Sequence, residues 1–124
     1  NYESMLYRED TLYIYCHGFF TPKELRFLRE LAKVVPEDCE FSHWGDMDFG
    51  GINIFLYMRK HIFHEIQPYK MGTDDFYRAI EQGAGIPLKE STREKLLRKD
   101  ADILEPLKQA ILETDRTIEQ EYLL

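Results

Sequence analysis

The stretch Phe41-Ser42-His43-Trp44-Gly45-Asp46-Met47-Asp48-Phe49-Gly50-Gly51 decides how this chain is read. It sets two aspartates one residue apart where an apolar run gives way to glycines. Side chains on extended backbone repeat every two residues, so Asp46 and Asp48 project to one side. Two carboxylates at that spacing repel each other unless a proton or a cation sits between them. Mg²⁺, a hard ion that takes one or two carboxylates and keeps several waters, is the expected occupant. A simpler role stands beside this one, since an aspartate ahead of a helix often only caps it and complements its dipole. The glycines on both sides favour a site, because they let backbone approach something closely.

The flanking sequence predicts alternating strands and helices. Asn1 to Asp10 reads as a short helix or connector, and Thr11 to Cys16, β-branched and aromatic, as a strand buried on both faces. Thr21, Pro22 and Glu24 predict a helix start, with Thr21 as N-cap, and the helix runs to about Val35 before Pro36. Phe41 to Trp44 is the next strand, followed by a helix over Ile52 to Phe63. Ile66 to Met71 reads as a third strand, pushed to an edge by Pro68, which has no N–H for a ladder. Thr73 then caps a helix through about Gln82. Beyond the loop that starts at Gly83, the spacing predicts helices over Glu90–Lys99 and Leu104–Leu123. Alternation of this kind implies an α/β fold: a parallel sheet with right-handed crossovers, helices on both faces and a helical C-terminal tail. In such sheets ligands bind beyond the carboxyl ends of strands, where Asp46 and Asp48 fall.

At 124 residues the chain is long enough for one domain and one core. Its 16 Lys and Arg against 23 Asp and Glu give a net charge of −7, which does not advertise a nucleic-acid surface. A polyanion partner therefore needs a local basic patch, a metal or another domain. The two cysteines, Cys16 and Cys39, are too few for a disulfide framework and read as buried free thiols. No apolar run approaches the roughly 18 residues of a membrane span, and the chain reads as soluble and cytoplasmic.

Gly45-Asp46-Met47-Asp48-Phe49-Gly50-Gly51 after an apolar strand, preceded by a strand ending in His17-Gly18-Phe19 and by a Thr-Pro helix start, resembles the Toprim domain. More closely, it resembles the C-terminal Toprim-like domain of the nuclease subunit of Wadjet plasmid-defence systems, related to the topoisomerase VI A subunit. The resemblance runs from Asn1 to about Met71, and the closing Ile118-Glu119-Gln120-Glu121 is similar to that family's ending. It implies a metal-dependent DNA-cleaving domain that uses Mg²⁺ or Mn²⁺ on double-stranded DNA. Its anchors are two aspartates, matched by Asp46 and Asp48, and a glutamate at the end of a first strand. That glutamate is not matched cleanly: the resemblance places it and its strand just before Asn1, so the chain reads as a C-terminal piece of a longer protein. Glu3 is the substitute candidate, although it falls past the strand end. The expected partners are other domains of the parent chain and, by the same resemblance, a condensin-like SMC complex; a homodimer is left open.

Accessory candidates lie around this pair. His17 and His43 sit at strand ends, where they could orient a phosphate or a water, or be structural histidines. Glu119 and Glu121 could reach the site or only solvate a helix. Arg93, Lys95, Arg98 and Lys99 are the candidate contacts to a DNA backbone, against the plainer role of complementing a helix dipole. Two competing functions fit an acidic pair of this kind. A haloacid-dehalogenase-like phosphatase also uses Asp-x-Asp after a strand, although in its first strand and followed by Thr or Val. A non-catalytic interaction module would use the loop as an epitope.

Overall fold

Thr21 starts the first helix as its sequence predicts. Its Oγ1 accepts from the Glu24 N–H at 3.1 Å while its own N–H donates to Glu24 Oε1 at 2.9 Å, a reciprocal capping box. The computed structural model describes residues 11–14 and 19–123. In chain order its elements are α1 (Pro22–Val34), β1 (Ser42–His43), α2 (Phe49–His61), β2 (Gln67–Pro68), α3 (Thr73–Glu81), β3 (Ile86–Pro87), α4 (Glu90–Arg98), α5 (Glu105–Thr114) and β4 (Arg116–Thr117). Single 3₁₀ turns occupy Asp102–Leu104 and Gln120–Leu123. No helix among the described residues is long and apolar enough to cross a membrane.

β1, α2 and β2 form one parallel strand–helix–strand unit, with Ser42 opposite Gln67 and His43 opposite Pro68. The Gln67 N–H donates to Phe41 O at 3.0 Å and the Tyr69 N–H to His43 O at 2.8 Å. Pro68 lies between these donors, at the position whose N–H would point away from β1, so its missing donor costs this ladder nothing. The edge placement expected from Pro68 follows.

A larger parallel sheet does not form among the described residues. They hold two separate two-stranded sheets, β1 with β2 and an unforeseen antiparallel pair, β3 with β4. Residues 11–14 of the expected first strand carry no regular structure, and Leu12 and Ile14 are 69% and 42% exposed. β-propensity records a fit to a half-buried pleated surface, and at Leu12 and Ile14 no such surface covers the side chains. Residues 15 and 16, with Cys16, lie outside the described residues. Cys39 is exposed, contrary to the expected burial.

The expected helix Leu104–Leu123 is also divided. α5 stops at Thr114 because Asp115 adopts left-handed backbone, φ 60 and ψ 32, a conformation that Asp tolerates better than most residues. Arg93 secures this stop by donating to the Asp115 carboxylate and to Leu112 O. The chain then turns back as β4 instead of running on as a helix. The core joins Phe55, Ile52 and Met58 of α2 to Phe76, Leu96, Leu107 and Ile111 of α3, α4 and α5. Lys108 is buried with them, its ammonium satisfied by Lys99 O at 2.7 Å and by Glu105 at 3.0 Å.

Candidate functional site

Met47 is the pivot of the acidic stretch. It is fully buried and forms a two-way backbone bridge with Ile118, its N–H donating to Ile118 O at 2.8 Å and its carbonyl oxygen accepting from the Ile118 N–H at 3.1 Å. With Met47 turned inward, the half-buried Asp46 and Asp48 fall on the opposite side together, as the two-residue repeat requires.

Each aspartate has one oxygen engaged by backbone. Asp48 caps α2, its Oδ1 accepting the Gly51 N–H at 2.7 Å, and the helix therefore begins at Phe49, three residues earlier than expected. Asp46 Oδ1 accepts the Gln120 N–H at 2.7 Å, across 74 residues of sequence. The Gln120 side chain donates to Trp44 O at 3.1 Å. Among the described residues neither Oδ2 makes a hydrogen bond.

The antiparallel bridge between Met47 and Ile118 sets Glu119 opposite Asp46, on the same face as both aspartates. Burial pushes the Asp48 carboxyl above its usual range, the Gly51 N–H opposes that rise, and the nearby charges of Asp46 and Glu119 add to it. Glu119 is exposed, and Glu121 lies beyond it in the closing 3₁₀ turn, also exposed. Glu3 and His17 lie outside the described residues.

The glycines divide by role. A Cβ on Gly51 would lie 1.8 Å from Asp46 O, so the first turn of α2 can sit against the acidic stretch only with glycine there. On Gly45 it would lie 2.7 Å from His43 Nε2, whereas Gly50 faces open space apart from Asp48 Oδ1 at 3.6 Å. His43 packs beside Phe55, with ring centroids 6.2 Å apart and its Nε2 buried without a hydrogen-bond partner among the described residues. Burial lowers its pKa to about 4, so the ring is neutral near pH 7 and brings no positive charge to a phosphate.

The four basic candidates do not form one patch. Arg93 is spent on Asp115 and Leu112. Lys95 Nζ lies 5.9 Å from the centre of the Phe49 ring, next to the Asp48 cap. Arg98 is exposed at the end of α4, and Lys99 supplies its carbonyl to Lys108. Sequence reasoning missed Lys70, whose Nζ sits 5.0 Å over the Trp44 ring, and it missed Gln120 as a partner of Asp46. The only sequence sign for Gln120 was its place in the closing Ile118–Glu121 motif. A separate open cleft of about 450 Å³ between α1 and the end of α2 is lined by Arg26, Arg29, Lys33 and His61. It lies at the opposite end of α2 from Asp48.

Among the described residues no group of three or more Asp, Glu, His or Cys converges to hold a metal ion. The donor chemistry nevertheless suits a hard cation, because two carboxylates, each with an oxygen unbonded among the described residues, repel across one face.

The family model described as Wadjet protein JetD, C-terminal, matches residues 1–124. The Wadjet protein JetD of Bacillus cereus (strain Q1) is 27% identical over 128 residues, covering 99% of this chain and 31% of that protein. The chain thus spans about a third of the length of this relative. No solved structure gives a significant match. Matched along its whole length, the chain belongs to the Wadjet JetD C-terminal family.

Proposed function

We propose that this domain takes part in a Wadjet plasmid-defence system by cleaving DNA phosphodiesters with Mg²⁺ or Mn²⁺, on a Toprim-like plan. The observation that carries the proposal is the shared face of Asp46 and Asp48, each with one oxygen held by backbone and the other making no hydrogen bond among the described residues. Asp46 and Asp48 would hold the metal, with Glu119 as an accessory carboxylate. An ion bound there neutralises phosphate charge and activates the attacking and leaving oxygens.

The chain's own residues prepare that face. The cap to Gly51 fixes Asp48, and the bond from Gln120 fixes Asp46. Burial, with repulsion from Asp46 and Glu119 added to it, makes a lone negative charge on Asp48 unfavourable, a cost that a bound proton or cation relieves. The pair follows β1 at its carboxyl end and opens α2, the position at which α/β sheets bind phosphorylated ligands. Lys95, 5.9 Å from the centre of the Phe49 ring next to the Asp48 cap, is a cation that would meet a DNA backbone. With a net charge of −7, most DNA affinity resides in other domains of the parent chain or in its complex partners, an SMC assembly by family resemblance.

Plasmid cutting by the full-length chain tests this reading. Cutting should vanish in chelator, return with Mg²⁺ or Mn²⁺, and be lost in Asp46→Ala. Cutting at the wild-type rate in chelator or in that variant would overturn it.

A further inference from the structure

We infer that Gln120 is a positioning residue for the acidic pair, and that the closing segment Arg116–Gln120 is a working part of the site. This rests on the proposed metal site and assigns the residue that sets its geometry. Gln120 makes two bonds to one short stretch, from its N–H to Asp46 Oδ1 at 2.7 Å and from its amide Nε2 to Trp44 O at 3.1 Å. The two acceptors stand on either side of Gly45.

A Cβ on Gly45 would meet the His43 ring at 2.7 Å, so a larger residue fits there only if that ring shifts. That constraint places the most permissive residue directly ahead of the first metal-site aspartate. Gln120 spans this weak link and fixes the backbone before it and the carboxylate after it. The Met47–Ile118 bridge and the burial of both side chains hold the two segments in register, so the clamp does not depend on an exposed tail finding its partner. Because Gln120 uses the Oδ1 atom of Asp46, it also sets the direction in which Oδ2 points. Partners of this kind, bonded to a ligating carboxylate, typically change metal affinity or activity by about 10- to 100-fold when removed.

Two substitutions remove the bonds stepwise. Gln120→Met keeps length and loses only the amide donor. Gln120→Pro loses the N–H together with the amide, and proline suits this position because Gln120 is the first residue of the closing 3₁₀ turn. The experiment titrates Mg²⁺ into the full-length chain by calorimetry and measures plasmid cutting against Mg²⁺ concentration, with thermal unfolding as the control for folding. We expect Mg²⁺ binding weakened about 10- to 100-fold, a matching rise in half-saturating Mg²⁺, and recovery of most of the rate at saturating Mg²⁺. Gln120→Asn, which restores an amide donor on a shorter side chain, should fall between Gln120→Met and wild type. Unchanged Mg²⁺ affinity in both Gln120→Met and Gln120→Pro, with Asp46→Asn abolishing binding, would overturn the role of Gln120 and leave the acidic site standing. Should Gln120→Pro fail to fold, unchanged affinity in Gln120→Met alone overturns it. Unchanged affinity in Asp46→Asn would instead overturn the acidic site, and this inference with it.

Discussion

The acidic stretch Phe41–Gly51 and the closing segment Arg116–Leu123 meet edge to edge, yet they announce themselves in opposite ways. The first carries its structure locally: Asp48 caps the helix that follows, and Gly51 admits the carbonyl of Asp46. The second gets its structure from elsewhere: Asp115 is fixed by Arg93 of α4, and Ile118 by Met47. The comparison teaches that a structural unit, here the one that carries the proposed site, can be half written in one motif and half supplied by a segment whose own pattern points to helix.

Breaking the locally encoded half should have the largest effect. Gly51→Ala forces a Cβ to within 1.8 Å of a backbone oxygen that no side-chain rotation can relieve. We expect a loss of about 4 kcal/mol or more, read by urea unfolding; a loss below about 1 kcal/mol would mean that the close approach is dispensable.

The closing half is tested by Ile118→Ala, which removes a fully buried side chain opposite Met47. About 3 kcal/mol of stability should go with it. Mg²⁺ affinity should fall as well, since the register of Gln120 depends on this bridge. A stability loss with unchanged metal affinity would separate the two segments functionally.

His43 sharpens the comparison through pH. Its pKa is lowered by burial from 6.5 to about 4, so between those values the unfolded chain binds the proton that the folded chain refuses. Its neutral form therefore supports stability fully above about pH 6.5, and that support is lost as pH falls toward 4, by up to about 3 kcal/mol. His43→Gln should flatten this part of the pH–stability curve. An unchanged curve would assign the acid sensitivity to other groups.

Asp48 gives the smallest stability effect. Asp48→Ala removes the cap of α2 and should cost about 1 kcal/mol. Asp48→Asn keeps an acceptor for the Gly51 N–H and removes a charge that burial, Asp46 and Glu119 all disfavour, so stability should hold or rise slightly. A loss as large as that of the alanine variant would mean that the ionised carboxylate is needed for the cap itself.

Legibility in the sequence follows the same division. The Thr21 capping box, the edge role of Pro68 and the close approach at Gly51 depend on residues within a few positions of each other, and all three were readable. The end of α5 was not, because Leu107, Ile111 and Ile118 continue a helical spacing straight through the break. What ends the helix is Arg93, 22 residues earlier, bound to Asp115. The same bond removed Arg93 from the candidate DNA contacts. Lys108 was hidden for a related reason, as only tertiary partners make a buried ammonium tolerable. In the proposed site, the pairing of Asp46 with Asp48 follows from their spacing, whereas the link to Gln120 spans 74 residues and has no local signature.

The most direct measurement is plasmid cutting by the full-length chain carrying Asp48→Asn, made alongside thermal unfolding. The account predicts a melting temperature at or above that of wild type together with loss of Mg²⁺-dependent cutting. Cutting at the wild-type rate by a fully folded Asp48→Asn chain would contradict it.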